Sequence, residues 1–279
     1  MGVCIVGCFL RSFTLFCCAV SAVATYPAER VSQKIAEGEF ETVPAVAMTD
    51  PKQSWILWRE ADGKLRLEDH FTLFDDPALM MLAAVGPGRL DPKVRKEVAD
   101  KVGLTGLEVL LTPDWNPQKM IVHGVSVADG KSIELVNCKV SEVEVSCKGL
   151  RHDAKFKKDK PRELFYSFHF PLLLRSLALR AKVAPNQTAT VPLVELRLGK
   201  EGPELLESEA KVVYVGDEVL SIADYRFASK KYSIETTSKA GTLTSLIWLS
   251  GNDVVLAAQN QDRTLQRVLM SRFKKISDF

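Results

Sequence analysis

The sequence has 279 residues, of which 46% are hydrophobic and 26% are charged, with 37 basic against 35 acidic residues. These values are typical of a globular protein and exclude extensive disorder, collagen-like repeats and a polytopic membrane protein. The net charge of +2 is too balanced for bulk charge to indicate binding to nucleic acid or to a membrane surface. The length allows one large domain or two small ones.

Residues 1–24 have the composition of an export signal. An apolar run at 13–20 is followed by small residues at Ala22 and Ala24, which fit the specificity of signal peptidase. We therefore expect cleavage after Ala24 and a secreted or periplasmic protein. Two alternatives stay open at this point: an uncleaved N-terminal membrane anchor, and a lipoprotein cleaved before Cys8.

The remainder of the chain consists of short β-rich segments separated by turn residues. We expect residues 25–52 to form a tether leading into a first strand at Glu41–Met48. Residues 53–279 would form an antiparallel β domain, whose two sheet halves would be 53–150 and 163–273. About a dozen strands with short connections predict a mainly β fold: one large curved antiparallel sheet, as a half-barrel or a sandwich, with a few short helices.

Turn and capping residues predict where these elements begin and end. The Asp-Gly pair at 62–63 predicts a hairpin, because such turns need positive φ. Asp91 before a proline predicts a helix start, and Gly103 predicts its end. The Gly-Asp pair at 216–217 predicts a turn between two strands. The apolar stretch Leu172–Leu179, preceded by a proline, predicts a second short helix.

Two cysteines remain once the export signal is removed, Cys138 and Cys147. A hairpin that turns at residues 142–143 places these two residues directly opposite each other on neighbouring strands. Cross-strand neighbours lie near disulfide reach, and an oxidising compartment favours the bond. We expect a disulfide, the alternative being two buried free thiols.

The segment Arg151–Arg162 is the one cluster of charge in the chain, with Phe156 as its single aromatic residue. We interpret it as a solvated basic loop. The alternative is a contact with anionic lipid headgroups or other polyanions.

Motifs of catalysis and cofactor binding are weak in this sequence. Glu68-Asp69-His70 offers three potential metal ligands, but such a trio more often lies on a strand facing water. The segment Gly124–Ala128 begins like a nucleophile elbow and lacks the second glycine. We predict no catalytic residue, no metal site and no cofactor.

Apolar residues are the better candidates for a site. Trp55 and Trp58 differ by three positions, so they point to opposite faces of one strand. One would face the core, and the other would face solvent, a lid or a ligand cavity. The helix at 172–179 would close the concave side of the sheet, either as a plain plug or as the wall of an apolar cavity. The candidate ligand-binding residues are Trp55, Trp58, Phe168, Phe170, Leu173, Leu177 and Trp248.

Several short segments of the C-terminal half are similar to a known group. They are Phe170–Leu177, Gly216–Val219, Ile247–Ser250 and Val254–Leu256. On these segments, residues 163–273 resemble uncharacterised secreted or periplasmic bacterial β-proteins that are classed as domains of unknown function. The resemblance implies a fold similar to the half-barrel of periplasmic lipoprotein carriers and outer-membrane lipoproteins. The group has no established catalytic residues.

Three functions fit these observations. The first is an exported, non-enzymatic binding protein that holds an apolar or lipid-like ligand on the concave sheet face. The second is a structural or interaction module of the envelope, with envelope proteins as partners. The third is a hydrolase whose site is assembled from distant residues, since such sites are recognised by geometry. None of the three involves nucleic acid.

Overall fold

The structure is a computed structural model, and it describes residues 32–43, 53–73, 79, 82, 89–166, 171–185, 187–199, 201–222, 225–239, 241–251, 253–261 and 266–276. The expected export signal, Phe168 and Phe170 lie outside the described residues. The expectations for them stay predictions.

The described residues form fifteen strands and two helices. They are β1 (Gln33–Val43), β2 (Gln53–Arg59), β3 (Leu65–Leu73), α1 (Pro92–Glu97), β4 (Val102–Leu111), β5 (Pro117–Ser126), β6 (Ser132–Val140), β7 (Glu144–Gly149), β8 (Asp153–Lys157), β9 (Glu163–Tyr166), α2 (Pro171–Ala181), β10 (Thr188–Leu198), β11 (Pro203–Ile222), β12 (Tyr225–Ser238), β13 (Gly241–Ser250), β14 (Val255–Gln261) and β15 (Gln266–Ile276).

All of these strands belong to one sheet, in the spatial order β8-β7-β6-β5-β4-β3-β2-β1-β15-β14-β13-β12-β11-β10-β9. Two series of neighbouring strands therefore lie side by side. The first meander consists of β1 to β8, the second meander runs from β15 back to β10, and the pairing of β1 with β15 joins them. Every neighbouring pair is antiparallel except β9 and β10, which run parallel and are connected through α2. The prediction of a large antiparallel sheet with a few short helices is confirmed.

The sheet curls so that the strands at one edge, β7 and β8, contact a strand of the other half, β11. These two strands are far from β11 in the strand order. The buried side chain of Arg162 stabilises this contact. Its Nε donates to the Asp159 carboxylate at 2.9 Å, and its guanidinium also pairs with Glu207 of β11. The guanidinium carbon lies 5.9 Å from the ring centroid of Phe156 of β8, so one side chain joins both ends.

Helix α2 fills the inner side of the curled sheet and contacts β10, β11, β12, β13 and β14. Six successive residues, 173–178, are buried. Burial of every side for more than a full turn means that the helix is enclosed rather than laid on a surface. Within the described residues, no helix has the length and hydropathy of a membrane span.

The prediction of a turn at residues 216–217 is wrong. β11 runs unbroken for 20 residues, and its pairing with β12 shifts register between Tyr214 and Gly216. The glycine has φ 144°, a conformation that L side chains rarely adopt, so the sequence signal marks a β-bulge inside a strand.

Three other boundaries differ from the expected ones. The first strand begins at Gln33 and not at Glu41, and α1 ends at Glu97, so that Gly103 lies in β4. The expected basic loop contains β8. In β8 the lysines alternate with Ala154 and Phe156, which pack against the core. This alternation is typical of a strand, but the many charged residues of the segment make it hard to recognise in the sequence.

The expected disulfide is present. Cys138 and Cys147 are direct cross-strand neighbours, and the main-chain hydrogen bond from Ser141 to Glu144 closes the hairpin at the predicted position. The two sulfur atoms are 2.01 Å apart, and both cysteines are buried. The bond therefore ties β6 to β7 within the core.

Replacing both cysteines, Cys138→Ala with Cys147→Ala, should lower the free energy of unfolding by about 2–3 kcal/mol, because a short closed loop no longer restrains the unfolded chain. Urea denaturation measures this change. A reducing agent should lower the midpoint of the wild type and leave that of the variant unchanged. Equal midpoints for the two proteins without reductant would contradict the prediction.

Candidate functional site

A small cavity lies on the inner side of the sheet, where α2 meets the first meander. Its volume is about 10 Å³, which is space for about one water molecule. The walls are mostly apolar. They are formed by Trp55, Leu57, Leu67, Trp115, Arg175, Val254 and Val255.

Two polar side chains of α2 hold the turns that border this cavity. Ser176 Oγ donates to the main-chain oxygen of Trp115 at 2.9 Å. Arg175 Nε donates to the main-chain oxygen of Asp253. Both turn residues have positive φ, 65° for Trp115 and 59° for Asp253, so neither turn has a relaxed conformation and the helix contacts help to keep them in place.

Arg175 brings a positive charge to the edge of the cavity. The residue is only 4% exposed, and its guanidinium carbon lies 4.0 Å from the ring centroid of Trp115. Burial lowers the pKa of Arg175 to about 10, with the charge of Asp253 acting in the opposite direction. The group is still protonated at neutral pH, so a cation faces an otherwise apolar space.

Trp55 occupies its place because Gly38 lies beneath it on β1. A Cβ at residue 38 would come within 2.8 Å of the indole ring, so a larger residue would displace the tryptophan. The ring centroid of Phe40 lies 6.4 Å from that of Trp55. The indole Nε1 is buried and has no hydrogen-bond partner among the described residues.

Asp69, the cross-strand neighbour of Trp55, is a carboxyl group inside the core. It is 1% exposed, and Gln53 Nε2 donates to its Oδ2 at 2.7 Å. Burial raises the pKa of Asp69 to about 8, and the hydrogen bond from Gln53 only partly offsets this effect. The carboxyl is therefore mostly protonated at neutral pH.

The structure brings three of the predicted site residues into one cluster and separates the others. Trp55, Leu173 and Leu177 belong to the same buried core. Trp58 points to the outer face, where the guanidinium carbon of Arg66 lies 5.2 Å from its ring centroid. The expected opposition of the two tryptophans of β2 is confirmed.

Trp248 lies in a different apolar cluster, with Leu256 and Ala257. Its neighbours Ile247 and Leu249 belong to the main core, so Trp248 points to the opposite face of β13. Glu218 accepts a hydrogen bond from its indole. Trp248 therefore does not line the cavity.

Sequence reasoning missed Trp115, Arg175 and Asp69. Trp115 lies in a turn, where no periodicity indicates orientation. Arg175 carried a usable signal, because a single cation within an apolar helix needs a special environment. Asp69 alternates with Leu67 and Phe71, and this spacing already places it on their buried face.

The described histidines lie beside glutamates. His70 is 3.7 Å from Glu68, His123 is 4.0 Å from Glu108, and His152 is 3.8 Å from Glu201, in each case from Nε2 to a carboxylate oxygen. Asp69 points inward while Glu68 and His70 lie on the outer side, so this trio does not converge. No cluster of three metal-ligating side chains occurs among the residues that the structure describes.

Comparison with known proteins identifies the fold. No protein family and no curated protein matches the chain by sequence. A β-barrel-like protein of the domain of unknown function DUF1849 from Brucella abortus matches 89% of this chain and 98% of its own, with a TM-score of 0.50 and 8% identity. The hypothetical lipoprotein YmcC from Escherichia coli K12 matches 89% of each chain, with a TM-score of 0.31 and 9% identity. The first of these matches confirms the resemblance to uncharacterised bacterial β-proteins at the level of the fold.

Asp69→Asn should remove a pH-dependent destabilisation. Below about pH 4 the Asp69 carboxyl is protonated in both the folded and the unfolded protein. Between about pH 4 and pH 8 only the folded protein keeps this proton. The free energy of unfolding of the wild type should then fall, relative to Asp69→Asn, by on the order of 1 kcal/mol per pH unit across this range.

Urea denaturation at several pH values between these limits measures the difference. Asp114→Asn, at an exposed position, is the matched control and should follow the wild type. A constant difference between the wild type and Asp69→Asn at every pH would show that Asp69 is already ionised in the folded protein.

Proposed function

We propose that the protein is an exported, non-enzymatic binding protein that accepts an apolar or lipid-like ligand between α2 and the inner face of the sheet. The observation that carries this proposal is the cavity bordered by two tryptophans, aliphatic side chains and Arg175. Ligand sites in proteins typically combine apolar walls with a few placed polar groups.

The size of the cavity sets a condition on binding. Space for about one water molecule is too small for an acyl chain. Leu173 and Leu177 of α2 are buried in the same core as Trp55. Binding therefore requires the space between α2 and the side chains of Trp55, Leu57 and Leu67 to widen, so that the ligand fits between the helix and the sheet.

Arg175 favours a ligand with an anionic head group. A guanidinium that is removed from water gains more from a carboxylate or phosphate than an exposed one does. The apolar tail of such a ligand would contact Leu57 and Leu67, which line the same cavity. A fatty acid or an anionic lysolipid has both parts.

The disulfide supports export. Disulfide bonds persist in oxidising compartments and are rare in the cytosol. The bond between Cys138 and Cys147 joins two neighbouring strands and has no metal-binding companion among the described residues. The disulfide thus supports the proposal of a periplasmic or secreted protein, which the composition of residues 1–24 predicts.

A comparison of hexadecanoic acid with hexadecanol tests the binding proposal. The acid should raise the melting temperature of the wild type clearly more than the alcohol does. Arg175→Met keeps the length and removes the charge, so it should abolish the preference for the acid. Native mass spectrometry and lipid extraction of the purified protein give a second measurement that does not depend on the chosen ligand.

Arg151→Met is the matched control, since this arginine is exposed and lies away from the cavity. It should keep the preference of the wild type for the acid. The proposal fails if neither lipid changes the melting temperature and the purified protein carries no extractable lipid.

A further inference from the structure

A continuous row of side chains crosses the outer face of the first meander in register. Successive cross-strand pairs connect β8 to β1 without a break. The row alternates cations with small or apolar residues over much of its length. Its members are Lys155, Ser146, Lys139, Lys119, Leu110, Arg66, Trp58 and Lys34.

The cations of this row are neutralised at one end and not at the other. On β1 and β3, Lys34 pairs with Glu37 at 3.1 Å, and Arg66 pairs with Glu60 at 2.6 Å. On β5 to β8 the lysines form no ion pair with any residue that the structure describes. We name this part the lysine face: Lys119, Lys139, Lys148, Lys155 and Lys157, which point outward from β5, β6, β7 and β8.

The acids near the lysine face are fewer and partly engaged. Glu134 accepts a hydrogen bond from Asn137, and Asp153 accepts one from the main chain of Gly149. Glu144 lies opposite Lys157 on the neighbouring strand. Residues 139–162 carry eight basic and four acidic side chains, whereas the whole chain has a net charge of +2, so the rest of the chain is net acidic.

The lysine face is open to solvent and extends over four neighbouring strands. Four neighbouring strands span about 14 Å at about 4.8 Å per step. Four of its five lysines are exposed, and Lys119 is half-buried. Phe156 of β8 packs toward the core, so no ring on this strand is available to stack on a base.

Two exposed apolar residues border the lysine face. Val143 precedes β7 and is 67% exposed, and Leu150 follows it and is 59% exposed. Apolar side chains beside cations are typical of surfaces that lie on a bilayer, where the charge meets headgroups and the apolar group enters the interface.

We propose that the lysine face binds the surface of an anionic phospholipid bilayer. The charge complementarity, the exposure of the lysines and the flanking apolar residues all fit this partner. The proposal goes beyond the apolar ligand of the inner cavity, because the two sites lie on opposite faces of the sheet and use different residues. Loss of one is therefore distinguishable from loss of the other.

Vesicle sedimentation tests the proposal. The full chain, purified as the producing cell processes it, is mixed with vesicles of phosphatidylcholine alone or of equal parts of phosphatidylcholine and phosphatidylglycerol. Binding to the anionic vesicles should exceed binding to the neutral ones at about 0.1 M salt. It should be lost at about 1 M salt, where the Debye length falls from about 10 to about 3 Å.

A variant in which four lysines of the lysine face are replaced by glutamine is compared with a variant in which four other lysines are replaced. The first variant should bind anionic vesicles more than about ten-fold more weakly than the wild type, and the second should bind them about as tightly as the wild type. The same four lysines replaced by arginine should keep the affinity. The test variant is Lys119→Gln, Lys139→Gln, Lys155→Gln and Lys157→Gln, and its control is Lys93→Gln, Lys96→Gln, Lys211→Gln and Lys230→Gln, all exposed positions.

Several outcomes would overturn the proposal. They are equal losses for the test and control variants, unchanged binding of the test variant, equal binding to neutral vesicles, and tighter binding to double-stranded DNA than to anionic vesicles. The last would assign the face to a polyanionic chain. The melting temperature of the test variant should match that of the wild type. If it does not, the arginine variant decides whether charge on this face is required.

Discussion

The enclosure of α2 by a single sheet is the constraint on which the rest of the fold depends. A sheet with one apolar face must cover that face, and here no second layer of strands does so among the described residues. The sheet curls, and one helix of 11 residues fills its inner side. Leu173, Leu174, Leu177 and Ala178 are buried there together with residues from both meanders. The fold is thus a sheet that curls around one short helix. Arg162 joins the edge strand β8 to β11, through Phe156 and Glu207.

Enclosure also explains why polar chemistry occurs inside the protein. A helix that is buried on all sides must satisfy its polar residues internally, and Arg175 and Ser176 do so by binding the turns at Asp253 and Trp115. These contacts place the guanidinium beside the cavity. Asp69 lies in the same core with a raised pKa, held by Gln53. The inner face is therefore mostly apolar with a few buried polar side chains, among them Arg175 and Asp69, whereas the outer face of β5 to β8 carries exposed charge.

Local signals in the sequence predicted some elements well and misplaced others. The cysteine pair was predictable because strand pairing around a two-residue turn fixes which residues lie opposite each other. The same reasoning failed at Gly216, since a glycine permits a turn and a bulge equally, and only the pairing partner decides between them. Of the candidate site, Trp55, Leu173 and Leu177 were found by their apolar character. Trp115 was not, because its position depends on a contact with a helix 61 residues away in the chain.

The sequence by itself determined the fold class, the opposite orientation of Trp55 and Trp58, the helix at Leu172–Leu179 and the register of the disulfide hairpin. Each of these depends on periodicity or spacing within a short segment. Only the tertiary structure decided that Trp248 is apart from the cavity, that Arg175 lines it, and that lysines from four strands form one face. These properties depend on how the sheet curls and on which strands become neighbours, and such long-range contacts leave no mark in any one segment.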